Sequence, residues 1–525
     1  MNLILTGLRI PVEKDQPSHY LQIAAKNLQT NPGTLKLVKI LAKSLDIKDQ
    51  EQFYYDISIV VKTADTYINS SSFPVYSEKP VLVRKKIKSK ENPVVIGFGP
   101  AGMFAALELI EYGLKPLIFE RGKKIEDRHA DVQKFITNRV LDPESNIQFG
   151  EGGAGSYSDG KLFSRIRNSP YIDKVLDTYI KFGAPEEIRY SAKPHIGTDI
   201  LCKIVANVRN YIIQNGGEIH FSAKLTDIII SGGSIQGIVI NGGKEYKSNY
   251  VFIAPGHSAR DTFEMLHKKG VCIEQKPISV GVRIEHPAET INLLRYGKKY
   301  SDFRPIGAAA YSFTYNRITG RNVQTFCMCP GGEVVNASSE QGLLVVNGMS
   351  CSARSSEFSN AAIVVTCNID DYKSKHPLAG LRFQENIEKK AFIAGGKTWK
   401  VPAQNLTDFL SGKSSKRLIK NSVKTGTEPA DIKEFLPGFL TESLLLAFNS
   451  WKEEYPLFVS DNAILIGAET RTSCPLKLKR NENYESVSIK KLFPIGEGSG
   501  YTGGITSSAA DAIKAVESII IGTDT

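Results

Sequence analysis

The chain has 525 residues, of which 41% are hydrophobic and 23% are charged, and these ordinary globular values exclude wholesale disorder. The formal net charge of +11 permits phosphate-rich cofactors or nucleic acid as partners, although a solvated basic surface is the simpler explanation. Seven scattered cysteines argue against a disulfide framework. No apolar run approaches the ~18 residues of a membrane span, and the N-terminus lacks the basic region of a signal peptide. We therefore expect a cytoplasmic protein.

Residues 1–80 are predicted to form a small α+β domain without recognisable chemistry. LILTGLRIPV and FYYDISIVVKT are predicted strands, whereas SHYLQIAAKNLQ and TLKLVKILAKSLDI are predicted helices. A basic linker follows over residues 81–92, with a run that contains Arg84, Lys85, Lys86, Lys88 and Lys90. For this run a solvated linker is favoured over a binding patch for an anionic partner.

At residue 93 the pattern changes to a β–α–β unit. VVIGFG is a continuous apolar strand, AGMFAALELIEYG is a helix, and KPLIFE is a second strand. Gly97, Gly99 and Gly102 form G-x-G-x-x-G between the first strand and the helix, which lets backbone approach a pyrophosphate at the helix N-terminus. Glu120 ends the second strand about 20 positions later, where an acid bonds ribose hydroxyls. The unit predicts a dinucleotide site.

The later elements complete the nucleotide-binding domain around a large insertion. TDILCKIVANVRNYIIQNGG is a predicted amphipathic helix, and a run of strands with glycine-rich turns leads to VFIAPG. We assign residues 93–264 to the first part of this domain and 265–489 to an inserted substrate or cap domain. Residues 490–525, where a glycine loop opens an apolar helix, are assigned to its C-terminal part.

The fingerprint alone does not separate NAD from FAD, but three features favour FAD. A long insertion follows the β–α–β unit, and a strand meander returns only through VFIAPGHSARD. A glycine loop with Glu497 in LFPIGEGSG closes the chain. No second strand, G-x-G-x-x-G and helix is available for a nicotinamide nucleotide.

Several longer stretches carry a resemblance to a known family: VVIGFGPAGMFAALELIEYGLKPLIFERG, NIQFGEGGAGSYSDGKL, KPHIGTDIL, VFIAPGHSARD, CMCPGGEVV, GAETRTSCPL and FPIGEGSGYTGGITSSAADAI. Over nearly its whole length the chain resembles an uncharacterised family of bacterial FAD-dependent dehydrogenases, or NAD(P)/FAD-dependent oxidoreductases. The resemblance implies an α/β fold with a Rossmann-like FAD-binding domain of the glutathione-reductase type. That domain would be discontinuous in sequence and would carry an inserted α+β substrate domain and the small N-terminal domain. The resemblance brings no settled substrate.

The resemblance also implies roles for individual residues. The fingerprint glycines would hold the FAD pyrophosphate and Glu120 the adenosine ribose. Glu497 stands where such flavoproteins usually carry Asp, and the helix that opens near Gly503 and Gly504 would direct its N-terminus at the flavin. Asp511, further along that helix, is expected to be structural. The residues expected to contact the cofactor are Gly97, Gly99, Pro100, Ala101, Gly102, Glu120, Arg121, Gly153, Ala154, Gly155, Ser156, Ser158, Gly160, Lys161, Ala254, Gly256, Gly496, Glu497, Gly503, Gly504 and Ile505.

Residues 155–162, GSYSDGKL, match a nucleotide-binding P-loop except in the last position. Leu162 stands where a P-loop needs a hydroxyl for magnesium, and turn residues precede the stretch where a P-loop needs a buried strand. We interpret residues 150–162 as a glycine-rich loop that lines the flavin side of the cofactor site.

Few residues are candidates for catalysis. His195, in KPHIGTD, is a candidate for proton transfer because the free pKa of histidine lies near neutrality. Lys161 would place a positive charge near the reduced flavin, and Arg471 in ETRTSCP could hold a substrate carboxylate. Arg283 and Glu285 alternate with apolar neighbours, which predicts a half-exposed strand from which either could touch the substrate.

Cys327 and Cys329 have C-x-C spacing, which places both thiols on one face of a strand. Neither C-x-x-C nor C-x₄-C is present, and no histidine is adjacent in sequence. We expect both residues to be buried small hydrophobes, without a disulfide and without a metal site.

These observations predict an FAD-dependent oxidoreductase that moves hydride or electron pairs between non-covalently bound FAD and an unidentified small molecule. An NAD(P)H donor could visit the site without a domain of its own. Two alternatives stay open: a flavin-dependent RNA-modifying or RNA-binding protein, suggested by the charge of +11 and the basic linker, and a non-catalytic flavin-binding regulator. Nucleic acid is the less favoured partner, because the basic residues are not interleaved with an aromatic stacking platform.

Overall fold

The computed structural model describes residues 1–69, 73–78, 84, 86–87, 92–162, 169–316 and 320–523. The N-terminal domain consists of β1 (Asn2–Pro11), α1 (Pro17–Leu28), β2 (Lys36–Asp46) and β3 (Tyr54–Lys62). Its strands form an antiparallel sheet in the order β1-β3-β2, and α1 packs on that sheet. Phe53 attaches the domain to the rest of the molecule by stacking on Tyr300, with ring centroids 4.2 Å apart.

The prediction of a helix over TLKLVKILAKSLDI is wrong, because this segment contains β2. The strand pairs with β3 along its whole length, but the register shifts between Leu37 and Lys39 and again between Ile40 and Ala42. Each shift inserts an extra residue. The apolar residues therefore do not alternate in the sequence, and their spacing imitates that of a helix.

The first part of the nucleotide-binding domain follows. Its elements are β4 (Val94–Ile96), α2 (Pro100–Glu111), β5 (Leu117–Phe119), α3 (Ile125–Asn138), α4 (Pro170–Lys181), α5 (Thr198–Gln214), β6 (Glu218–His220), β7 (Leu225–Ser231), β8 (Ser234–Ile240), β9 (Lys244–Lys247), β10 (Val251–Ile253), α6 (Arg260–Lys268) and β11 (Ile273–Gln275). Strands β7, β8 and β9 form an antiparallel meander.

The inserted domain is built around one large sheet. Its elements are β12 (Ile278–Pro287), α7 (Ala288–Tyr300), β13 (Thr314–Tyr315), β14 (Val323–Cys329), β15 (Glu333–Asn336), β16 (Val346–Met349), β17 (Phe358–Cys367), α8 (Ala379–Ala394), β18 (Val401–Asn405), α9 (Leu406–Leu410), β19 (Thr427–Pro429), α10 (Ile432–Phe435), α11 (Gly438–Glu454) and β20 (Ile464–Glu469). Among the described residues the sheet has the order β13-β14-β17-β12-β20-β18-β19, with β12 at its centre.

The C-terminal part returns to the nucleotide-binding domain with β21 (Leu476–Leu478), β22 (Leu492–Pro494) and α12 (Ile505–Thr523). Strand β22 joins a parallel sheet of the order β22-β10-β4-β5-β6, and α12 packs on α2. Strand β21 pairs with β11, and both strands share a hydrophobic core with β10. Judged by this shared core, the nucleotide-binding domain includes β11, which follows the predicted boundary at residue 264, and β21, which precedes the predicted boundary at residue 490.

The described part of the basic linker lies against the helices of this domain. Lys85, Lys88 and Lys90 lie outside the described residues. Arg84 forms an ion pair with Glu108, with 3.3 Å between Nε and Oε1, and a second one with Glu517. The Lys86 ammonium donates to the Ile110 carbonyl at 3.3 Å. For Arg84 the prediction of a solvated linker is therefore wrong, whereas Lys86 is exposed as predicted.

The parallel sheet positions the candidate site. The carboxyl ends of β4, β5, β10 and β22 lie at one edge, and the chain continues from them into Gly97, Glu120, Ala254 and Ile495. Ligands of open α/β sheets bind at this edge. Within the described ranges, no helix has both the length and the apolar character needed to cross a membrane.

Candidate cofactor site

The fingerprint turn owes its shape to close backbone approaches. Gly97 has φ +91, and a Cβ there would lie 2.2 Å from the Ala254 carbonyl oxygen. A Cβ at Gly102 would lie 1.9 Å from the Gly97 carbonyl oxygen. Neither position accepts a side chain, so these two glycines allow β4, β10 and α2 to pack together.

Gly99 has a different role, because its Cβ position is open. It precedes α2 in extended backbone, and a Cβ there would meet only Gly153, at 3.6 Å from Cα. Pro100 and Ala101 then form the first turn of α2, whose leading N–H groups have no acceptor within the helix. This exposed N-terminus is suited to an anionic group.

Glu120 lies at the adjoining strand end and is buried. One carboxylate oxygen accepts from the Phe98 N–H at 2.8 Å, and the other accepts from the N–H groups of Gly122 and Gly150, each at 2.9 Å. The carboxylate thus joins the fingerprint turn to the glycine-rich loop. Carboxylate oxygens have further lone pairs, so these bonds do not prevent Glu120 from accepting from a ribose.

A cavity of about 290 Å³ opens directly after Glu120. Its lining includes Arg121, Ser145, Ser222 and Lys224. The Arg121 guanidinium lies 3.9 Å from the Phe149 ring centroid and bonds to Glu144 and Asp261, which fixes it at the cavity wall. The Ser145 hydroxyl is buried without a hydrogen-bond partner. The cavity therefore combines space with an unsatisfied polar group beside the predicted ribose ligand.

The glycine-rich loop lies directly against the fingerprint. The Gly152 N–H donates to the Phe98 carbonyl at 2.8 Å, and a Cβ at Gly153 would lie 3.0 Å from the Gly99 Cα. A Cβ at Gly155 would contact the Ile505 side chain at 3.3 Å. The structure thus brings together residues predicted from three distant segments: 97–102, 150–160 and 503–505.

Serine hydroxyls hold the rest of this loop in place. Ser158 donates to the Gly155 carbonyl at 2.8 Å and accepts from the Gly160 N–H at 3.0 Å. Ser156 is buried and donates to the Glu151 carbonyl at 3.4 Å. These hydroxyls are therefore engaged with the protein, and their part in the site is to shape the loop. Ala154 belongs to the 3-10 turn Gly153–Tyr157.

Arg128 is a residue of this loop's framework that the sequence did not reveal. It is fully buried in α3, and its guanidinium donates to the carbonyls of Asn146, Ile147, Glu151 and Gly153 at 2.7–2.9 Å. A Cβ at position 150 would lie 2.4 Å from its Cδ, which explains the glycine there. Its partners are all backbone carbonyls, which leave no mark in a sequence.

The C-terminal loop supplies the other side of the site. Gly496 donates its N–H to Asp511 at 2.9 Å, and Asp511 also forms an ion pair with Arg480 at 2.6 Å, so the prediction that Asp511 is structural is confirmed. Glu497 accepts from the Gly504 N–H at 3.5 Å, and burial raises the pKa of Glu497 to about 7. Gly256, Gly503 and Gly504 present bare backbone, because a Cβ at any of them would meet no atom within 4 Å.

Lys161 and His195 face each other in an isolated antiparallel bridge. The Lys161 ammonium lies 2.9 Å from an Asp159 carboxylate oxygen, and 35% of its side chain is exposed. His195 contacts the Ser352 carbonyl through Nε2 at 3.2 Å. Burial, with the neighbouring Arg354, lowers the pKa of His195, so its imidazole is neutral at pH 7. Arg354 and Asp159, which form an ion pair at 2.6 Å, are site residues that the sequence analysis missed.

Arg471 does not lie in this group of residues. Its guanidinium is buried and bonds to both oxygens of Glu388, at 3.0 and 2.8 Å, and to the Ser339 hydroxyl at 2.7 Å. Arg260 binds the same carboxylate at 2.8 Å. Arg471 is therefore committed to protein groups, which corrects the expectation that it holds a substrate carboxylate.

Arg283 and Glu285 are also not half-exposed, and that prediction is wrong. Both are fully buried on β12, which has a neighbouring strand on each side. Arg283 bonds to Glu469 at 2.9 and 3.1 Å, and Glu285 accepts from the Ser422 N–H at 2.8 Å. Burial raises the pKa of Glu285 to about 7.

The site offers a suitable region for each of the three parts of an FAD molecule. The bare N-terminus of α2 suits the pyrophosphate, the cavity with its unpartnered Ser145 hydroxyl suits the adenosine end, and the bare backbone at Gly503 and Gly504 allows a flat ring to approach.

Comparisons with known proteins place this geometry in a protein class. Residues 277–472 match the family described as "FAD-dependent protein, C-terminal domain-like", and this range coincides with the large sheet of the inserted domain. An uncharacterised protein of Clostridium beijerinckii is 41% identical over 505 residues, with 94% of each chain covered. The chain belongs to the same family as that clostridial protein.

Solved structures are similar only at low identity. L-amino acid deaminase from Proteus myxofaciens in complex with anthranilate has a TM-score of 0.35 at 12% identity, with 84% of this chain and 92% of that chain covered. CtdE in complex with FAD has a TM-score of 0.32 at 12% identity, with 82% and 84% covered. Similarity at this level does not bear on the substrate or on the arrangement of domains.

Proposed function

We propose that the protein is an oxidoreductase that binds FAD non-covalently and exchanges hydride or electron pairs with a small molecule. The observation that carries the proposal is the meeting of three glycine-rich segments, 97–102, 150–160 and 503–505, at the N-terminus of α2. Glycine at these positions leaves the backbone free of side chains, so that a phosphate or a ring can approach it closely.

The nucleotide-binding domain is proposed to be of the glutathione-reductase type. Its support is the parallel order β22-β10-β4-β5-β6 together with the antiparallel meander β7-β8-β9, which the chain enters before β10. In this assignment α2 would hold the pyrophosphate, Glu120 the adenosine ribose, and the loop of Glu497, Gly503 and Gly504 the flavin end. Bound FAD supplies the hydride or electron-pair chemistry.

The protein's own groups would orient the reactants and control charge and protons. The N-terminus of α12 and the Lys161 ammonium both favour negative charge on their side of the site. The imidazole of His195 is neutral at pH 7 and can therefore accept a proton from a substrate. The inserted domain brings Arg354 to this point through its ion pair with Asp159, so we place the substrate between these residues and the flavin.

The cofactor is tested directly by denaturing the purified protein and identifying the released compound by chromatography. The expected result is FAD in about a one-to-one ratio to protein. Release of NAD, or of no nucleotide after reconstitution with FAD, would contradict the proposal. Anaerobic mixing with NADH and with NADPH, followed at the flavin absorbance, then tests the donor. Reduction by one of them supports an oxidoreductase, whereas a protein that no reductant of this class reduces fits the non-catalytic regulator better.

The RNA-binding alternative receives no support from the described part of the linker. Arg84 forms ion pairs with Glu108 and Glu517, and Lys86, although exposed, donates to the Ile110 carbonyl. A salt-dependent shift of RNA that is lost on removal of residues 1–91 would restore this alternative.

A further inference from the structure

Two thiols lie at the C-terminal end of β14, where the pairing of the strand is irregular. Cys327 has φ +43, and the register of β14 on β17 shifts between Phe326 and Cys329. Cys329 is buried, but Cys327 is partly exposed, and both are free thiols. The prediction of two buried hydrophobes on one strand face is therefore wrong for Cys327, because the bulge turns it out of the regular strand.

The thiols are in contact with each other and with the candidate cofactor site. The Cys329 thiol donates to the Cys327 carbonyl at 3.4 Å. The Lys161 ammonium lies 3.8 Å from the Cys329 sulfur. A Cβ at Gly348 would lie 2.7 Å from that sulfur, so a glycine makes the room for the pair.

Charged groups of both signs surround Cys327. The hydrogen bond from Cys329, and then the charges of Lys161 and Arg283, lower the pKa of Cys327 well below its usual value, against burial and Asp159. The same hydrogen bond raises the pKa of Cys329. Two further carboxyl groups face this cluster, those of Glu469 and Glu497. The pKa of Cys327 is therefore lowered and that of Cys329 raised, so Cys327 has the greater thiolate character of the two.

The other described cysteines lack this environment. Burial raises the pKa of the thiols of Cys202, Cys367 and Cys474 to between about 11 and 12. Cys351 is exposed, and partial burial together with Asp199 raises its pKa. Thiolate character, which controls reactivity with disulfides, is therefore concentrated at Cys327.

We propose that Cys327 and Cys329 form a redox-active dithiol whose substrates are small-molecule disulfides, with Cys327 as the attacking thiolate and Cys329 as the resolving thiol. The Cys327 sulfur forms a bond to one sulfur of the disulfide, whose S–S bond breaks and releases the first thiolate. The Cys329 sulfur then bonds to Cys327 and displaces the second thiolate, and the proton of Cys329 passes to a departing thiolate. Two protein thiols are oxidised and one disulfide is reduced to two thiols, so no other oxidant is needed. This inference goes beyond the proposed function and does not depend on bound FAD.

Dithiodipyridine, an uncharged disulfide that releases an absorbing thiopyridone, is a suitable probe. It is added in less than stoichiometric amount to the purified full-length protein near pH 7, and the remaining free thiols are then alkylated. Cleavage after Arg321 and Glu333 isolates residues 322–333, which hold Cys327 and Cys329 but not Cys351. The expected product is this peptide with two hydrogen atoms lost and both thiols protected from alkylation, before Cys272 or Cys351 reacts. Reaction of the exposed Cys272 and Cys351 first, with both thiols of 322–333 still free, would overturn the proposal.

Serine variants separate the two roles without a large change in volume. Cys329→Ser should retain the fast phase, release one thiopyridone in place of two, and leave a mixed disulfide on Cys327. Cys327→Ser should lose the fast phase altogether. A fast phase that survives in Cys327→Ser, or equal stoichiometry in both variants, would refute the assignment.

Two substitutions of Lys161 test whether its charge contributes to the reactivity of Cys327. Lys161→Met should move the pH midpoint of the fast phase upward by about one unit and slow that phase about tenfold at pH values below both midpoints, because a pKa rise of one unit removes about that much thiolate there. Lys161→Arg should keep most of the rate. The matched control is Lys193→Met, which removes an exposed positive charge from the segment that carries His195. An unchanged pH midpoint in Lys161→Met would contradict the role of Lys161, and equal effects at both lysines would show that only net charge matters.

Discussion

Substitution of the fingerprint glycines should separate cofactor binding from folding. Gly99 lies in extended backbone that any residue adopts, and a Cβ there makes only an ordinary contact of 3.6 Å. Gly99→Val should therefore lower the free energy of unfolding of the cofactor-free protein by about 1 kcal/mol, mainly because valine is a poor residue before a helix. At Gly102 a Cβ would lie 1.9 Å from a carbonyl oxygen. Since ordinary contacts begin near 3.4 Å, Gly102→Val should cost about 3 kcal/mol or more.

Gly99→Val, which should change the stability little, should weaken FAD binding strongly. In Gly99→Val the branched side chain covers the N–H groups that would face the pyrophosphate. Hydrogen bonds to charged groups contribute about 1.5–3 kcal/mol each, so loss of two raises the Kd by about 100-fold or more. The flavin-to-protein ratio of the purified variant and a fluorescence titration of the cofactor-free protein give the affinity, and urea unfolding gives the stability.

Two outcomes would refute this reasoning. Gly99→Val with stoichiometric FAD and a wild-type Kd would show that the pyrophosphate is not at the N-terminus of α2. Gly99→Val that unfolds as readily as Gly102→Val would show that Gly99 is needed for packing and not for the cofactor.

Three further variants address other parts of the structure. Glu388→Gln should lower the free energy of unfolding by about 3–5 kcal/mol in urea, because Arg260 and Arg471 would lose their shared buried carboxylate; a loss below about 1 kcal/mol would contradict the structural role of Arg471. Glu285 has its pKa raised from 4.5 to about 7 by burial, so it is protonated in the folded protein at a pH where the unfolded chain is ionised. The wild type should therefore lose about 2–3 kcal/mol relative to Glu285→Gln as the pH rises from about 4.5 through 7, and parallel stability profiles would exclude this. Gly503→Ala should leave the cofactor-free protein as stable as the wild type, because its Cβ meets no atom within 4 Å, but should weaken FAD binding about tenfold or more in the same titration; unchanged affinity would place the flavin elsewhere.

The fold of the nucleotide-binding domain was predictable because its signals are local. The turn at Gly97 and Gly102 requires glycine for packing reasons that act within a few residues, and the helix over 198–217 shows its period directly. Strand β2 was not predictable, since its two register shifts remove the alternation on which recognition of a strand depends.

The charged residues of the inserted domain were misjudged for a different reason. Arg283 and Arg471 become buried only because Glu469 and Glu388 reach them from distant parts of the chain. A sequence shows that these residues are charged, but it does not show which of them find a partner. Exposure is the default expectation for an arginine, and here it fails at both positions.

The environment of Cys327 was hidden for the same reason. Its lowered pKa depends on Cys329 and on Lys161, which approaches from the glycine-rich loop. The spacing of the two cysteines was visible, but the bulge that turns Cys327 outward was not.

The connectivity of the parallel sheet imposes an order on biosynthesis. Strand β10 pairs with β4 on one side and with β22 on the other, and α12 covers α2. Because β22 and α12 lie far behind β4 and β10 in the chain, at about 5–20 residues per second the early strands wait on the order of tens of seconds for these neighbours. Until then the edge of β10 is unpaired and the apolar face of α2 is uncovered. Completion of the sheet therefore comes well after the synthesis of its early strands, and in the interval the unpaired edge of β10 is open to pairing with other chains.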